Sequence, residues 1–209
     1  TEEGRIMGST ANRNPSFYVG VTIPVAKHAG YKTGQTPRAD RETIIYPITF
    51  DHLQVDHKDN FTAAAGHSIY TAGLLGESYR NKRALICAPT GKLVSAMTLH
   101  RNGASFETTN SEHNIYASAD AWSAPVAAEV GPEGAVYIAD WYNPVIQHNV
   151  YGPDTKKGKG NAYESPVRDR KHGRIYRISP VDSKFAEQPS LNTLDSQLAA
   201  LGHDNMGWR

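Results

Sequence analysis

A single cysteine in 209 residues, Cys87, leaves the chain without an internal disulfide and without the paired thiols that attach a c-type haem. It sits in the apolar run Ala84-Leu85-Ile86-Cys87-Ala88, the setting of a buried, inert thiol rather than a nucleophile. An excess of charge of either sign is also missing. The 22 Lys and Arg against 21 Asp and Glu are well mixed and give a net charge of +1, which leaves no electrostatic footprint for nucleic acid. No apolar run approaches the roughly 20 residues that a membrane-spanning helix needs. A signal peptide is absent, as it is from a mature secreted chain. The chain does not begin with Met, and Trp208-Arg209 follows a helical pattern with no stop signal, so a segment of a longer protein is expected.

What is present is a succession of short strand patterns. Pro125 to Val130 is a short apolar run, Gly131-Pro132-Glu133-Gly134 is a tight turn, and Ala135 to Ala139 is a second run rich in β-branched and aromatic residues. Together they predict a β-hairpin. Its second strand stops before Pro144, which cannot donate to a ladder, and leaves Asp140-Trp141-Tyr142-Asn143 clustered at a strand exit.

Further strands are predicted over 16–23, 43–49, 67–72, 82–88 and 92–99, the last two joined by the turn Pro89-Thr90-Gly91. Residues 24–42 and 101–124 read mostly as loop. Leu191, Leu194, Leu198 and Leu201 fall at helical spacing, with Ser190 or Asn192 available as an N-cap. Three regions follow: an irregular entry segment with short strands (1–50), a strand-rich region (51–180) and a helical tail (181–209).

Two units within the strand-rich region repeat. Ile69-Tyr70-Thr71-Ala72 aligns with Val136-Tyr137-Ile138-Ala139, and Gly91-Lys92-Leu93-Val94 with Gly173-Arg174-Ile175-Tyr176. The second unit carries an insertion between Tyr151 and Lys171, within which the Lys156 to Gly160 run reads as a solvated loop. Units of this length are more readily propeller blades than sandwich halves. The fold class expected is therefore all-β, with the β-propeller blades of a partial propeller followed by a short C-terminal α-helix.

The motifs GPEGAVYIADWYNPVIQHN and RDRKHGRIYRIS, with upstream QVDHKDNFTAAAGHSIYTAG and APTGKLV, closely resemble the closing blades of large propeller proteins of the membrane-bound dehydrogenase type from planctomycetes and related bacteria. That group is similar to the glucose and sorbosone dehydrogenase propellers that use pyrroloquinoline quinone (PQQ). The resemblance covers roughly residues 51–179 and implies an exported, periplasmic or extracellular protein acting on carbohydrate. It also implies PQQ, Ca²⁺, a separate cytochrome-type electron acceptor, and another chain or segment to complete the ring.

On a propeller, the loops 51–60, 118–122 and 140–149 should converge on one face. His57, with Asp56 beside it, and His67 are candidates for the base that takes a proton from a sugar hydroxyl, because imidazole titrates near neutrality. The alternative is that they tie loops together. Asp140 and Asn143 offer oxygen ligands of the kind Ca²⁺ accepts, although a strand-end Asp also caps turns. Trp122, Trp141 and Tyr142, with Asp120 and His148 nearby, could stack on and hydrogen-bond to a sugar or a quinone, or else seal the inter-blade core. Arg168, Arg170 and His172, with Arg174, suit carboxylates on a substrate or cofactor, or pair internally through Asp169. Two other readings remain open: a non-catalytic carbohydrate- or protein-binding propeller, and a non-redox sugar lyase or hydrolase with Asp56 and Asp140 as its carboxylates.

Overall fold

A computed structural model describes residues 7–8, 17–18, 45–49, 61, 64–102, 105–109, 113–144, 146, 169, 171–185 and 187–209. Its strands are β1 (Met7–Gly8), β2 (Phe17–Tyr18), β3 (Ala65–Ile69), β4 (Arg83–Ala88), β5 (Leu93–Asn102), β6 (Ser105–Thr109), β7 (Asn114–Ala117), β8 (Pro125–Val130), β9 (Val136–Asp140) and β10 (Arg174–Ile178). One helix, α1 (Leu194–Ala200), and a 3₁₀ turn at Met206–Trp208 follow. The architecture is all-β with a short C-terminal helix. Every strand pairing described is antiparallel: β1 with β2, a sheet ordered β3-β4-β5-β6 with β7 also on β5, and a sheet ordered β10-β9-β8.

The core explains why β4 and β5 read as unbroken apolar runs. Side chains alternate across a strand, and here both faces are covered. Leu85, Cys87, Val94 and Ala96 join Ala128, Val136 and Ile138 of the β8–β9 hairpin in one cluster. Ala84, Ile86, Leu93 and Met97 join Ile45 and Phe61 in a second cluster on the opposite face. Leu85, Ile86 and Ile138 are completely buried, each stabilising the fold by about 1.5–3 kcal/mol.

The hairpin over 125–140 and the turn at 89–92 form as the sequence predicts. Lys92 N donates to Pro89 O at 3.1 Å, and Gly134, at φ 91°, donates to Gly131 O at 3.0 Å. Other expectations change. Among the described residues of 101–124 strand outweighs the expected loop, because β5 runs on to Asn102 and offers an edge that β7 pairs at one end and β6 at the other. Residues 45–49 are not a strand. Pro47 lacks a donor, and Ile45 turns into the core while Ile48 stands exposed.

The strand predicted over 67–72 ends at Ile69. Tyr70 then becomes a buried post, donating its hydroxyl to Gly134 O at 2.8 Å and accepting from Leu75 N at 2.9 Å. Gly66, at φ 56°, lets β3 approach β8 backbone to backbone, since a Cβ there would lie 2.4 Å from Ala127 Cα.

The N-cap of α1 is Thr193, which forms a capping box with Ser196, rather than Ser190 or Asn192. Its leucine stripe faces solvent: Leu191, Leu194, Leu198 and Leu201 are all exposed, and Ala200 is the buried residue of the helix. The tail nevertheless docks beyond the helix. Buried Asn205 donates from Nδ2 to Gly131 O at 2.8 Å and Pro132 O at 3.0 Å. Trp208 Nε1 donates to Pro132 O at 2.8 Å, and Met206 N to Thr71 O at 3.3 Å. No helix among the described residues is long and apolar enough to cross a membrane.

Candidate functional site at the exit of β9

Strand alternation turns Val136, Ile138 and Asp140 inward, so the row of core side chains ends in a carboxylate that is only 3% exposed. A buried carboxylate needs donors, and the neighbouring loop supplies them. Ala124 N donates to Asp140 Oδ1 at 2.6 Å, Tyr142 N to the same oxygen at 2.8 Å, and Ser123 Oγ to Oδ2 at 3.0 Å. Trp141 N returns a bond to Ala124 O at 2.9 Å. This latch holds Tyr142 at φ 54°, a left-handed conformation that a tyrosine adopts only under external constraint.

Asn143, fully buried, donates from Nδ2 to Asp169 O at 3.0 Å. Asp169 accepts from Lys171 N at 2.8 Å and meets His172 Nδ1 at 2.6 Å. Those main-chain and imidazole contacts, that of Lys171 N foremost, hold the Asp169 carboxyl below the usual carboxylate range.

A ladder of rings and charges is built on this base. The Arg174 guanidinium lies 3.5 Å from the Tyr142 ring centroid, donates to Asp120 Oδ2 at 3.1 Å, and reaches Tyr176 Oη at 3.4 Å. Trp122 packs against Tyr142 with centroids 5.9 Å apart and planes at 31°. Tyr176 packs on Tyr116 at 5.1 Å, and the Tyr116 hydroxyl lies 3.0 Å from Ser123 Oγ, which closes the network back to Asp140. Asp120 accepts from Trp122 N at 2.9 Å, and this bond first, then Arg174, depresses its pKa. Burial pushes the Tyr116 phenol up to about 12, so it remains a neutral donor.

Asp120, Trp122, Asp140, Tyr142, Asn143 and His172 are thus brought to one end of the β8–β10 sheet, and Trp141 lies 37% exposed at the same exit. His67 sits apart in chain terms, in the bulge of β3 between Ala65 and Ser68, where burial pushes its pKa down to about 4. A base so weak is a poor acceptor for a hydroxyl proton at neutral pH. Asp56, His57, His148, Arg168 and Arg170 lie outside the described residues.

Sequence reasoning missed Tyr116, Ser123 and Tyr176 altogether. Arg174 and Tyr176 at alternate positions of one strand were the available signal, but their partners come from β7 and the following loop.

Both carboxylate oxygens of Asp140 accept protons of the protein, and Asn143 donates through Nδ2. Ca²⁺ takes about six to eight oxygen ligands, and among the described residues no group of three or more His, Cys, Asp or Glu is placed to hold a metal. What the site offers instead is two adjacent aromatic rings beside an ion pair whose side chains are 42% and 37% exposed, Arg174 and Asp120.

The sequence matches a family described as a domain of unknown function, DUF7133, over residues 1–182. The chain belongs to that family, and the match takes in every described strand while α1 and the docked tail lie beyond it. No curated protein and no solved structure matches the chain.

Proposed function

We propose that the chain forms blades of a β-propeller of the sugar dehydrogenase type, and that the surface around Asp120, Trp122, Tyr142 and Arg174 receives a carbohydrate. Support for blades comes from antiparallel meanders packed face to face, and from β10, which among the described residues pairs with β9 alone and so leaves an edge for a further strand. The observation that carries the binding reading is the half-buried ring pair Trp122–Tyr142 set beside the partly exposed Arg174–Asp120 ion pair. A sugar presents C–H faces to stack on rings and hydroxyls that both donate and accept. The ladder provides for each.

Oxidation of the bound sugar is the second half of the proposal and rests on the resemblance. PQQ would take the two electrons when bound, and His57 with Asp56 would take the hydroxyl proton. Arg168, Arg170, His172 and His148 are the remaining candidates to hold the quinone's carboxylates or the sugar. Export to the periplasm or cell exterior and transfer to a cytochrome-type acceptor belong to the same reading.

The test is calorimetric titration with neutral mono- and oligosaccharides, followed by the absorption spectrum of added PQQ in the presence of sugar. Trp122→Ala should weaken binding by about tenfold or more, while His57→Ala should leave binding intact and abolish bleaching of the quinone. Absence of sugar binding by the unaltered protein would sink the proposal. Binding without bleaching would leave a carbohydrate-binding propeller.

A further inference from the structure

His172 stands three residues after Asp169 and just ahead of β10, and the pair is anchored to the Trp122–Tyr142 platform from two sides. Asn143, the neighbour of Tyr142 in the chain, donates to Asp169 O at 3.0 Å. Two residues beyond His172 comes Arg174, whose guanidinium lies 3.5 Å from the Tyr142 ring centroid. The Cα atoms of His172 and Arg174 are therefore at most about 7 Å apart, a reach that a single sugar residue with its hydroxyls covers.

The contact with Asp169 fixes what His172 offers to a ligand. Nδ1 lies 2.6 Å from Asp169 Oδ2, while Asp169 Oδ1 accepts from Lys171 N at 2.8 Å and from His172 N at 3.3 Å. Those contacts, that of Lys171 N foremost, hold the carboxyl below the usual carboxylate range, so near neutrality it has no proton to give. The proton of the short bond therefore belongs to Nδ1, and in the neutral ring Nε2 keeps a bare lone pair. Among the described residues no hydrogen bond reaches Nε2, and the side chain is 74% exposed. A bare lone pair accepts from a hydroxyl and repels a carboxylate, which brings only lone pairs of its own.

We infer that His172, positioned by Asp169, selects uncharged sugars for the platform by accepting one of their hydroxyls, and turns sugar acids away. The inference rests on the carbohydrate reading of that surface and names the substrate class it takes. Arg174 does not reverse the preference, because its charge is matched by Asp120 at 3.1 Å. Asp169 is a positioning residue here: it acts by holding the proton on Nδ1. Asp169→Asn keeps an oxygen for Lys171 N but sets an amide N–H against Nδ1, so the ring proton moves to Nε2 and the outward lone pair becomes a donor.

Two measurements on the full chain at about pH 8.5, where imidazole is neutral, test the inference. Long-range proton–nitrogen NMR, with the His172 signals assigned by their loss in His172→Ala, should place the proton on Nδ1 in the unaltered chain and on Nε2 in Asp169→Asn. An unaltered ring protonated on Nε2 overturns the inference whatever the ligand. Calorimetric titration then compares the methyl glycosides of glucose and galactose with the matching methyl glycosiduronates, which differ only in the carboxylate. The unaltered chain should bind at least one neutral sugar about tenfold or more tightly than its acid. Asp169→Asn should narrow that ratio by about fivefold or more, with His172→Ala as the second variant should the first fail to fold by circular dichroism. Trp122→Ala should weaken both members of a pair alike and keep the ratio. A neutral preference that survives both variants at Asp169 and His172, or tighter binding of the acid, overturns this inference alone. Absence of binding by the unaltered chain, or binding that Trp122→Ala leaves untouched, overturns the reading of the platform and this inference with it.

Discussion

Replacing Asp140 by alanine should be among the most damaging single changes in the molecule. Its carboxylate accepts from Ala124 N, Tyr142 N and Ser123 Oγ, and the residue is 3% exposed, so water cannot take its place without opening the latch. Hydrogen bonds to a charged acceptor contribute about 1.5–3 kcal/mol each, but the three share one group and are not additive. Two main-chain N–H groups would be left without their acceptor, and the left-handed Tyr142 would lose the bond that helps hold it. The expected loss is about 3–5 kcal/mol, a large share of the roughly 5–15 kcal/mol that holds a domain together.

Asp140→Asn keeps the shape and one acceptor oxygen, so the two main-chain donors can be kept at the expense of the Ser123 contact. Its loss should be about 1–2 kcal/mol. Urea unfolding followed by far-UV circular dichroism measures both, and near-UV signals from Trp122 and Trp141 report the exit itself. An alanine variant within about 0.5 kcal/mol of the parent, with unchanged near-UV signals, would refute the latch.

Gly66→Ala places a Cβ 2.4 Å from Ala127 Cα and 2.6 Å from Val126 O at a φ of 56°, and should cost more than about 2 kcal/mol in the same urea assay. His67 is lowered to about 4 in the folded chain, so as pH falls below about 6.5 the unfolded chain takes up the proton first. Stability should therefore drop between about pH 6.5 and 4, by up to about 3 kcal/mol, and His67→Gln should flatten that part of the profile; equal slopes in the two proteins would contradict it. Cys87 is fully buried with its thiol pushed up to about 12, so a thiol reagent at mildly alkaline pH should label it only as the protein unfolds. Rapid labelling of the native chain would show the β4 core to be open.

How far the sequence revealed this structure depended on whether an element's signal was local. β4 and β5 were legible because cover on both faces makes them continuous apolar runs, and β8 and β9 because a tight turn joins two short strand-forming runs. β6 and β7 were not, since Ser105–Thr109 is mostly polar and Asn114–Ala117 is only four residues long, and both form where the long edge of β5 receives them. The same distinction holds at the site. Asp140 followed by Pro144 marked a strand exit and a capping carboxylate. The link from Tyr116 through Tyr176 to Arg174 joins residues far apart in sequence and has no local pattern. The leucine spacing of 191–201 forecast a helix, but periodicity carries no record of what a face meets, and here the stripe meets solvent.

The docked tail has a consequence for the order in which the molecule assembles. Asn205 and Trp208 close onto Gly131 and Pro132, and Met206 onto Thr71, so three segments distant along the chain meet at one knot of main-chain acceptors. Contacts of such long sequence separation form only after both sheets exist, because loop closure must be compensated by structure already in place. The knot should therefore be last to tie and first to loosen. Amide exchange at Met206 would then open at a lower free energy than the strands beneath it, making this short stretch a separate cooperative unit.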